Sequence, residues 1–166
     1  LQEILAMIIT WAAVESMAAH MAATNASDAD FVALRKFAMA HSATAKKAEL
    51  GEYSDANIKF HQSILDLSGC ELLKTTANQL FMHMNAVRRR AMGENNRAHR
   101  SIEDHMEIIE ALEVRDPELA SRLVREHTMK LHDHVKDRWT RLANLAGSRD
   151  VSTINLTLNL DSNQTR

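Results

Sequence analysis

The chain has 166 residues, of which 45% are hydrophobic and 25% are charged, and its formal net charge is −2. These values are typical of one globular domain, and the small negative charge excludes the basic excess of a stand-alone nucleic-acid-binding protein. Its one cysteine, Cys70, excludes an internal disulfide and agrees with a reducing compartment. With only four glycines and one proline, the composition predicts an all-α fold.

The first predicted helix covers about residues 1–23. Its apolar run over residues 4–21 contains Glu15 and Ser16 and lacks both a basic flank and a signal-like cleavage site. We therefore interpret it as a core helix of a cytoplasmic protein, and we expect no membrane association.

The second and third predicted helices are bounded by capping and breaking residues. Ser27 and Asp30 form a capping-box pattern at the start of the second helix, and Gly51 is expected to end it. Ser54 is a plausible N-cap for the third helix, and Gly69 is expected to end that helix in a left-handed conformation. The third helix carries Asn57, Phe60, His61, Ile64 and Leu65 at helical spacing.

The fourth predicted helix covers about residues 71–92 and ends at a polar loop over residues 93–96. Its basic run, Arg88 to Arg90, places three adjacent side chains in three directions, so at least one is expected to face inward or into a cleft. The predicted core positions are Leu72, Leu73, Leu80, Phe81 and Met84.

The last two predicted helices fold back on each other at Asp116 and Pro117. The fifth helix covers about residues 97–114. Asp116 is a good N-cap, and Pro117 fits the first position of the sixth helix, where its missing N–H has no cost. The sixth helix then reaches about residue 146. The inward stripes are predicted to be Ile102, His105, Ile109 and Leu112 on the fifth helix, and Leu119, Ala120, Leu123, Val124, His127 and Leu131 on the sixth.

Residues 1–147 are thus predicted to form one helical domain. The polar tail over residues 148–166 alternates like a strand in part. It is expected to be flexible or to pair between chains.

Four side chains suggest a site. Asn57 and His61 are four residues apart and share a helix face. His105 and His127 lie eleven residues before and after Asp116, so both are about 16 Å from the turn at 1.5 Å per residue. Facing each other in a bundle, the two pairs would form a metal pocket. The alternative is a set of unrelated core histidines.

The chemistry of these residues suggests a ligand class. Neutral imidazoles suit Zn, Ni, Fe, Cu and, with carboxylate help, Mn. The Asn57 carboxamide is a weaker ligand than a carboxylate and supplies no charge. An ion held by neutral groups would attract an anion, so a small organic acid is the expected effector.

Signatures of enzymes are largely absent from the sequence. It contains no Glu-x-x-His, no His-Glu-x-x-His and no glycine-rich phosphate loop. No carboxylate is apparent on the inward stripes beside the histidines. A metal-dependent bundle enzyme and a purely structural or protein-interaction bundle nevertheless remain alternatives.

Two segments resemble a known family. The first, residues 60–70, reads FHQSILDLSGC, and the second, residues 104–112, reads DHMEIIEAL and is followed by Asp116, Ala120 and His127. Both are similar to the FCD domain, the C-terminal effector-binding domain of FadR-type regulators in the GntR family of bacterial transcription regulators. The resemblance covers about residues 1–147 and implies an antiparallel bundle of six or seven helices around a central ligand or metal cavity.

The resemblance also implies site residues. A divalent metal, Zn or Ni with Mn as a third possibility, would be held by His61, His105, His127 and, weakly, Asn57, which stands where the family commonly has Asp. Trp11 stands where the family often has an arginine near the effector. The expected effector-binding residues are therefore Trp11, Arg88 and Arg89.

As a whole, the resemblance implies a ligand-sensing domain that is not an enzyme. It would control DNA binding through a separate winged helix-turn-helix domain, which is absent from this chain. A homodimer is expected, since operators read by paired helix-turn-helix domains are usually palindromic.

Overall fold

The computed structural model describes residues 1–45, 50–92 and 97–145 of the chain. Within these ranges the chain forms α-helices and no strands, which confirms the predicted all-α bundle. The polar tail predicted from residue 148 onward lies outside the described residues. The six described helices are α1 (Gln2–Asn25), α2 (Asp28–Ala45), α3 (Leu50–Leu67), α4 (Glu71–Met92), α5 (Arg97–Glu113) and α6 (Pro117–Leu145).

Helix α1 forms the centre of the bundle and contacts α3, α4, α5 and, most extensively, α6. Four of its alanines, Ala18, Ala19, Ala22 and Ala23, have no exposed surface, and such small side chains let the backbone of a neighbouring helix come close. By length and composition α1 could also cross a membrane. This is weak evidence, because the buried core helix of a bundle meets the same test.

Three of the predicted helix ends, at Ser27, Gly69 and Asp116, are capped as expected. The Asp30 carboxylate accepts hydrogen bonds from the backbone N–H of Ser27 at 2.9 Å and from its hydroxyl at 2.7 Å. The Asp116 carboxylate accepts from the backbone N–H of Leu119 at 2.9 Å. Gly69 has a φ of 68°, a conformation that side chains disfavour. These caps satisfy backbone groups that a helix end leaves without an internal partner.

Two expectations about the helices were wrong. Helix α3 begins at Leu50, so Gly51 and Ser54 lie inside its opening turns and do not separate two helices. Glycine costs a helix only about 1 kcal/mol relative to alanine, and the buried side chains Phe60, Ile64 and Leu65 on the later turns of α3 outweigh this cost. Leu72 is 75% exposed. The inward stripe of α4 passes through Leu73 instead, and neighbouring helical residues point about 100° apart.

All three described turns, which join α1 to α2, α3 to α4 and α5 to α6, lie at one end of the bundle. Arg115, with a φ of 54°, donates hydrogen bonds to the Ala23 carbonyl at 3.2 Å and to Asp28 at 2.6 Å. Asn25 donates to the Ser68 carbonyl at 2.8 Å. Side chains therefore connect each turn to another part of this end.

A two-pronged ion pair joins α2 to α5. The Arg35 guanidinium donates to both carboxylate oxygens of Glu113, each at 2.6 Å. The hydrogen bond from Arg35 lowers the pKa of Glu113 below its ordinary value of 4.5. Since both side chains are partly exposed, the pair is expected to contribute ~0.2–1 kcal/mol to the free energy of unfolding.

This pair predicts a pH dependence of stability. Because the pKa of Glu113 is lower in the folded chain, its contribution is fully present above the unfolded value of 4.5 and is lost as pH falls through the folded value. We therefore expect Glu113→Gln to lower the melting temperature at pH 7, and the difference from the wild type to shrink below about pH 4. Thermal unfolding followed by circular dichroism would check this, and a difference that grows at low pH would contradict it.

Candidate metal centre

Three imidazoles from three helices meet inside the bundle. His61 on α3, His105 on α5 and His127 on α6 are only 1%, 6% and 6% exposed. Their ring centroids are 5.4 Å apart for His61 and His105, 5.2 Å for His61 and His127, and 4.9 Å for His105 and His127. One nitrogen of each ring lies within 4.8 Å of the others. The structure thus brings together the three histidines that the sequence singled out.

His61 contacts a buried carboxylate on the central helix. Its Nδ1 bonds to Oε1 of Glu15, a side chain with no exposed surface. Oε2 of the same carboxylate accepts hydrogen bonds from Nε1 of Trp11 at 2.6 Å and from the hydroxyl of Thr128 at 3.0 Å. Glu15 therefore links α1, α3 and α6 at the level of the histidines.

His127 contacts a second carboxylate. Its Nδ1 lies 2.9 Å from Oδ2 of Asp104, and the Lys130 ammonium lies 2.6 Å from Oδ1. Burial raises the pKa of the Asp104 carboxyl, but the hydrogen bonds from His127 and Lys130 outweigh this, and the pKa is lower than its ordinary value. Asp104 is therefore ionised at neutral pH and accepts a hydrogen bond from the Nδ1–H group of His127.

Asn57, the fourth sequence-predicted ligand, lies beside the cluster. It is 2% exposed, and its carboxamide oxygen accepts from the Ser101 hydroxyl at 3.2 Å. The same hydroxyl lies 3.4 Å from Nε2 of His105. One face of the His105 ring stacks on Phe60, with the ring centroids 3.8 Å apart. Asn57 and His105 thus share Ser101, and the stacked Phe60 ring limits how far His105 can rotate.

The donor set fits a divalent metal. The Nδ1 atoms of His61 and His127 face carboxylates, so Nε2 is the atom that each ring can offer to an ion. Histidine ligands commonly donate their second nitrogen to a carboxylate, which fixes the ring and its tautomer. Two nitrogens that each bind one Zn²⁺ at about 2 Å are at most about 4 Å apart. The observed spacing therefore requires only a small movement of the rings.

At least two openings in the described part of the chain reach the histidines. A cleft of about 390 Å³ between α5 and α6 has polar or charged residues along its walls, including Arg100, Asp104, His127 and Lys130. A second opening, beside Asn57 and His105, measures about 20 Å³, which is room for about one water molecule. Of these two openings, the α5–α6 cleft is the one with room for a small-molecule ligand.

The structure gives a position for one of the three predicted effector-binding residues. Trp11 is fully buried, and its ring centroid lies 5.1 Å from that of Phe81 and 6.4 Å from that of His61. Arg88 and Arg89 belong to α4, but their side chains lie outside the described residues. Trp11 is thus a buried neighbour of His61 in the core.

Two carboxylates beside the histidines, Glu15 and Asp104, were not predicted from the sequence. The expectation that no carboxylate lies inward there was wrong. A usable signal for Glu15 was present, because it lies eleven residues before the turn at Ala26, as His105 lies eleven before Asp116. At 1.5 Å per residue both are about 16 Å from the same end of the bundle. Asp104 gave no comparable signal, since an acidic residue next to a buried histidine is usually solvent-exposed.

The comparisons with known proteins agree with this geometry. The family model of the FCD domain matches residues 7–130, a range that contains the three histidines, Asn57 and Glu15. A comparison with curated proteins finds no match to the chain.

Proposed function

The chain belongs to the FCD domain family, and we propose that it is the ligand-sensing regulatory domain of a GntR-type transcription regulator. FCD domains belong to regulatory proteins. The proposed effector is a small organic acid or a similar anion. It would bind at a divalent metal, Zn or Ni with Mn as a third possibility, held by His61, His105 and His127, with Asn57 as a weak fourth ligand.

The observation that carries this proposal is the buried group of three imidazoles whose nitrogens lie within 4.8 Å of one another. Placing three imidazoles together in a core offers little packing advantage over apolar side chains, whereas it suits an ion that prefers nitrogen ligands. Such an ion, when bound, would supply positive charge and open coordination positions for an oxygen ligand.

The α5–α6 cleft contains two cationic side chains that an anionic ligand could use. Arg100 and Lys130 line it together with three aspartates, Asp104, Asp133 and Asp137. Guanidinium and ammonium groups bind carboxylates through charge-assisted hydrogen bonds. In this proposal Arg100 and Lys130 attract and orient the acid, while Arg88, Arg89 and Trp11 remain the effector residues that the family resemblance suggests.

The signal would pass to DNA through a separate domain. An effector shifts a protein between two states only through its different affinity for them. We propose that the chain acts as a cytoplasmic homodimer and that effector binding changes how two winged helix-turn-helix domains fit one operator.

One observation disfavours the enzyme alternative. A metal-dependent enzyme needs an acid or base beside the ion that reaches the substrate. Two carboxylates contact the cluster, and both are already hydrogen-bonded: Glu15 accepts from Trp11 and Thr128, and Asp104 contacts His127 and Lys130. These contacts suit groups that hold the histidine rings better than groups that exchange protons with a substrate.

The test is thermal unfolding of tag-free protein with Zn²⁺, Ni²⁺ or Mn²⁺, alone and with citrate, malate or succinate. We expect a metal to raise the melting temperature and an acid to raise it further, because ligands stabilise the state that they bind. Arg100→Gln should weaken the binding of the acid about tenfold, which corresponds to ~1.4 kcal/mol, and leave the metal response unchanged.

Two results would contradict the proposal in different ways. If no metal shifts the melting temperature, the chain is a structural or interaction bundle and the metal centre is wrong. If a metal binds but none of a broad panel of organic acids adds a further shift, the anionic effector is wrong.

A further inference from the structure

We propose that Glu15 is the positioning residue of the metal centre. It would hold the ring and the tautomer of His61 without touching the ion. This inference rests on the proposed metal-binding function and assigns a role to a residue outside the expected ligand set.

The burial of Glu15 supports this role. A carboxylate in a core is costly unless its oxygens are fully bonded. Glu15 has no exposed surface, and its two oxygens contact His61, Trp11 and Thr128. An alanine or leucine at this position would avoid the cost of burying a carboxylate. The presence of an acid here therefore points to a specific role for its carboxylate.

The contact with Glu15 also selects the tautomer of His61. A carboxylate can only accept a hydrogen bond, so its contact with Nδ1 requires the proton to sit on Nδ1. Nε2 then carries the lone pair that a metal needs. Without Glu15 the ring could adopt either tautomer and rotate, and both freedoms would weaken metal binding.

The test compares Zn²⁺ affinity, measured by competition with a chelator, in the wild type, Glu15→Gln and the matched control Glu113→Gln. The control removes a carboxylate of the same type from the Arg35 ion pair, away from the histidines. We expect Glu15→Gln to bind Zn²⁺ about 10- to 100-fold more weakly and Glu113→Gln to bind it within about twofold of the wild type.

A second measurement needs no variant. Nitrogen-15 NMR of the metal-free wild type should show the proton of His61 on Nδ1. A His61 ring with its proton on Nε2, or a folded Glu15→Gln that binds Zn²⁺ as tightly as the wild type, would overturn the role of Glu15 and leave the proposed sensor function standing. A wild type that binds no metal would overturn the metal centre and this inference together.

Discussion

A variant with His61, His105 and His127 all replaced by Gln is expected to lose the stabilisation that a divalent metal gives the wild type. A metal at a hundred times its dissociation constant stabilises a folded protein by ~2.7 kcal/mol. For a domain of this size that is a shift of about 5–11 °C in the melting temperature. The variant should show no shift, because amide side chains replace the three imidazoles that would bind the ion. Thermal unfolding with and without Zn²⁺ measures both values.

The matched control is His20→Gln. His20 lies on the surface side of α1, with 36% of its side chain exposed, and its ring is 3.6 Å from Glu118. This variant should respond to Zn²⁺ as the wild type does. If the triple variant still shows the full shift, surface histidines bind the metal and the buried cluster is not the site.

The second large effect is expected for Trp11→Ala, which should lower the free energy of unfolding by ~3–5 kcal/mol. The indole has no exposed surface and packs against Phe81, so its removal leaves a cavity in the core. It also deprives the buried Glu15 of the donor at 2.6 Å. Urea unfolding at neutral pH measures the loss.

Two further variants separate the causes. Trp11→Phe keeps most of the ring packing but removes the N–H, so its cost should be ~1–3 kcal/mol, the range for leaving a buried polar group without its partner. Met82→Ala, at a position that is 78% exposed, should change stability by less than ~0.5 kcal/mol. A Trp11→Ala variant as stable as Met82→Ala would show that the packing of Trp11 beside His61 contributes little to the free energy of unfolding.

Much of the fold was predictable because local chemistry dictates it. Ser27 with Asp30, Gly69 and Asp116 each mark a helix end through a backbone requirement that few residue types meet. Once the turn at Asp116 is known, equal offsets place His105 and His127 at one level. The helical rise therefore allowed two of the three clustered histidines to be paired from sequence alone.

The two carboxylates that contact the histidines were less predictable, because their contacts arise only from the packing of the helices. Glu15 interrupts an apolar helix, and nothing in its own segment shows that His61 and Thr128 will meet it there. Asp104 faces inward because α6 brings His127 and Lys130 to it. The start of α3 was predicted wrongly because glycine usually marks the end of a helix. In this chain Gly51 lies in the opening turn of α3.

The connected turns at one end of the bundle determine where movement can occur. Arg115 ties the α5–α6 turn to the end of α1 and to Asp28, and Asn25 ties α1 to the α3–α4 turn. Helices held together at one end separate by tilting, and the displacement of a tilted rod increases with distance from its pivot. A tilt caused by ligand binding midway along the helices would therefore produce its largest displacement at the first turn of α1 and at the last turns of α4 and α6.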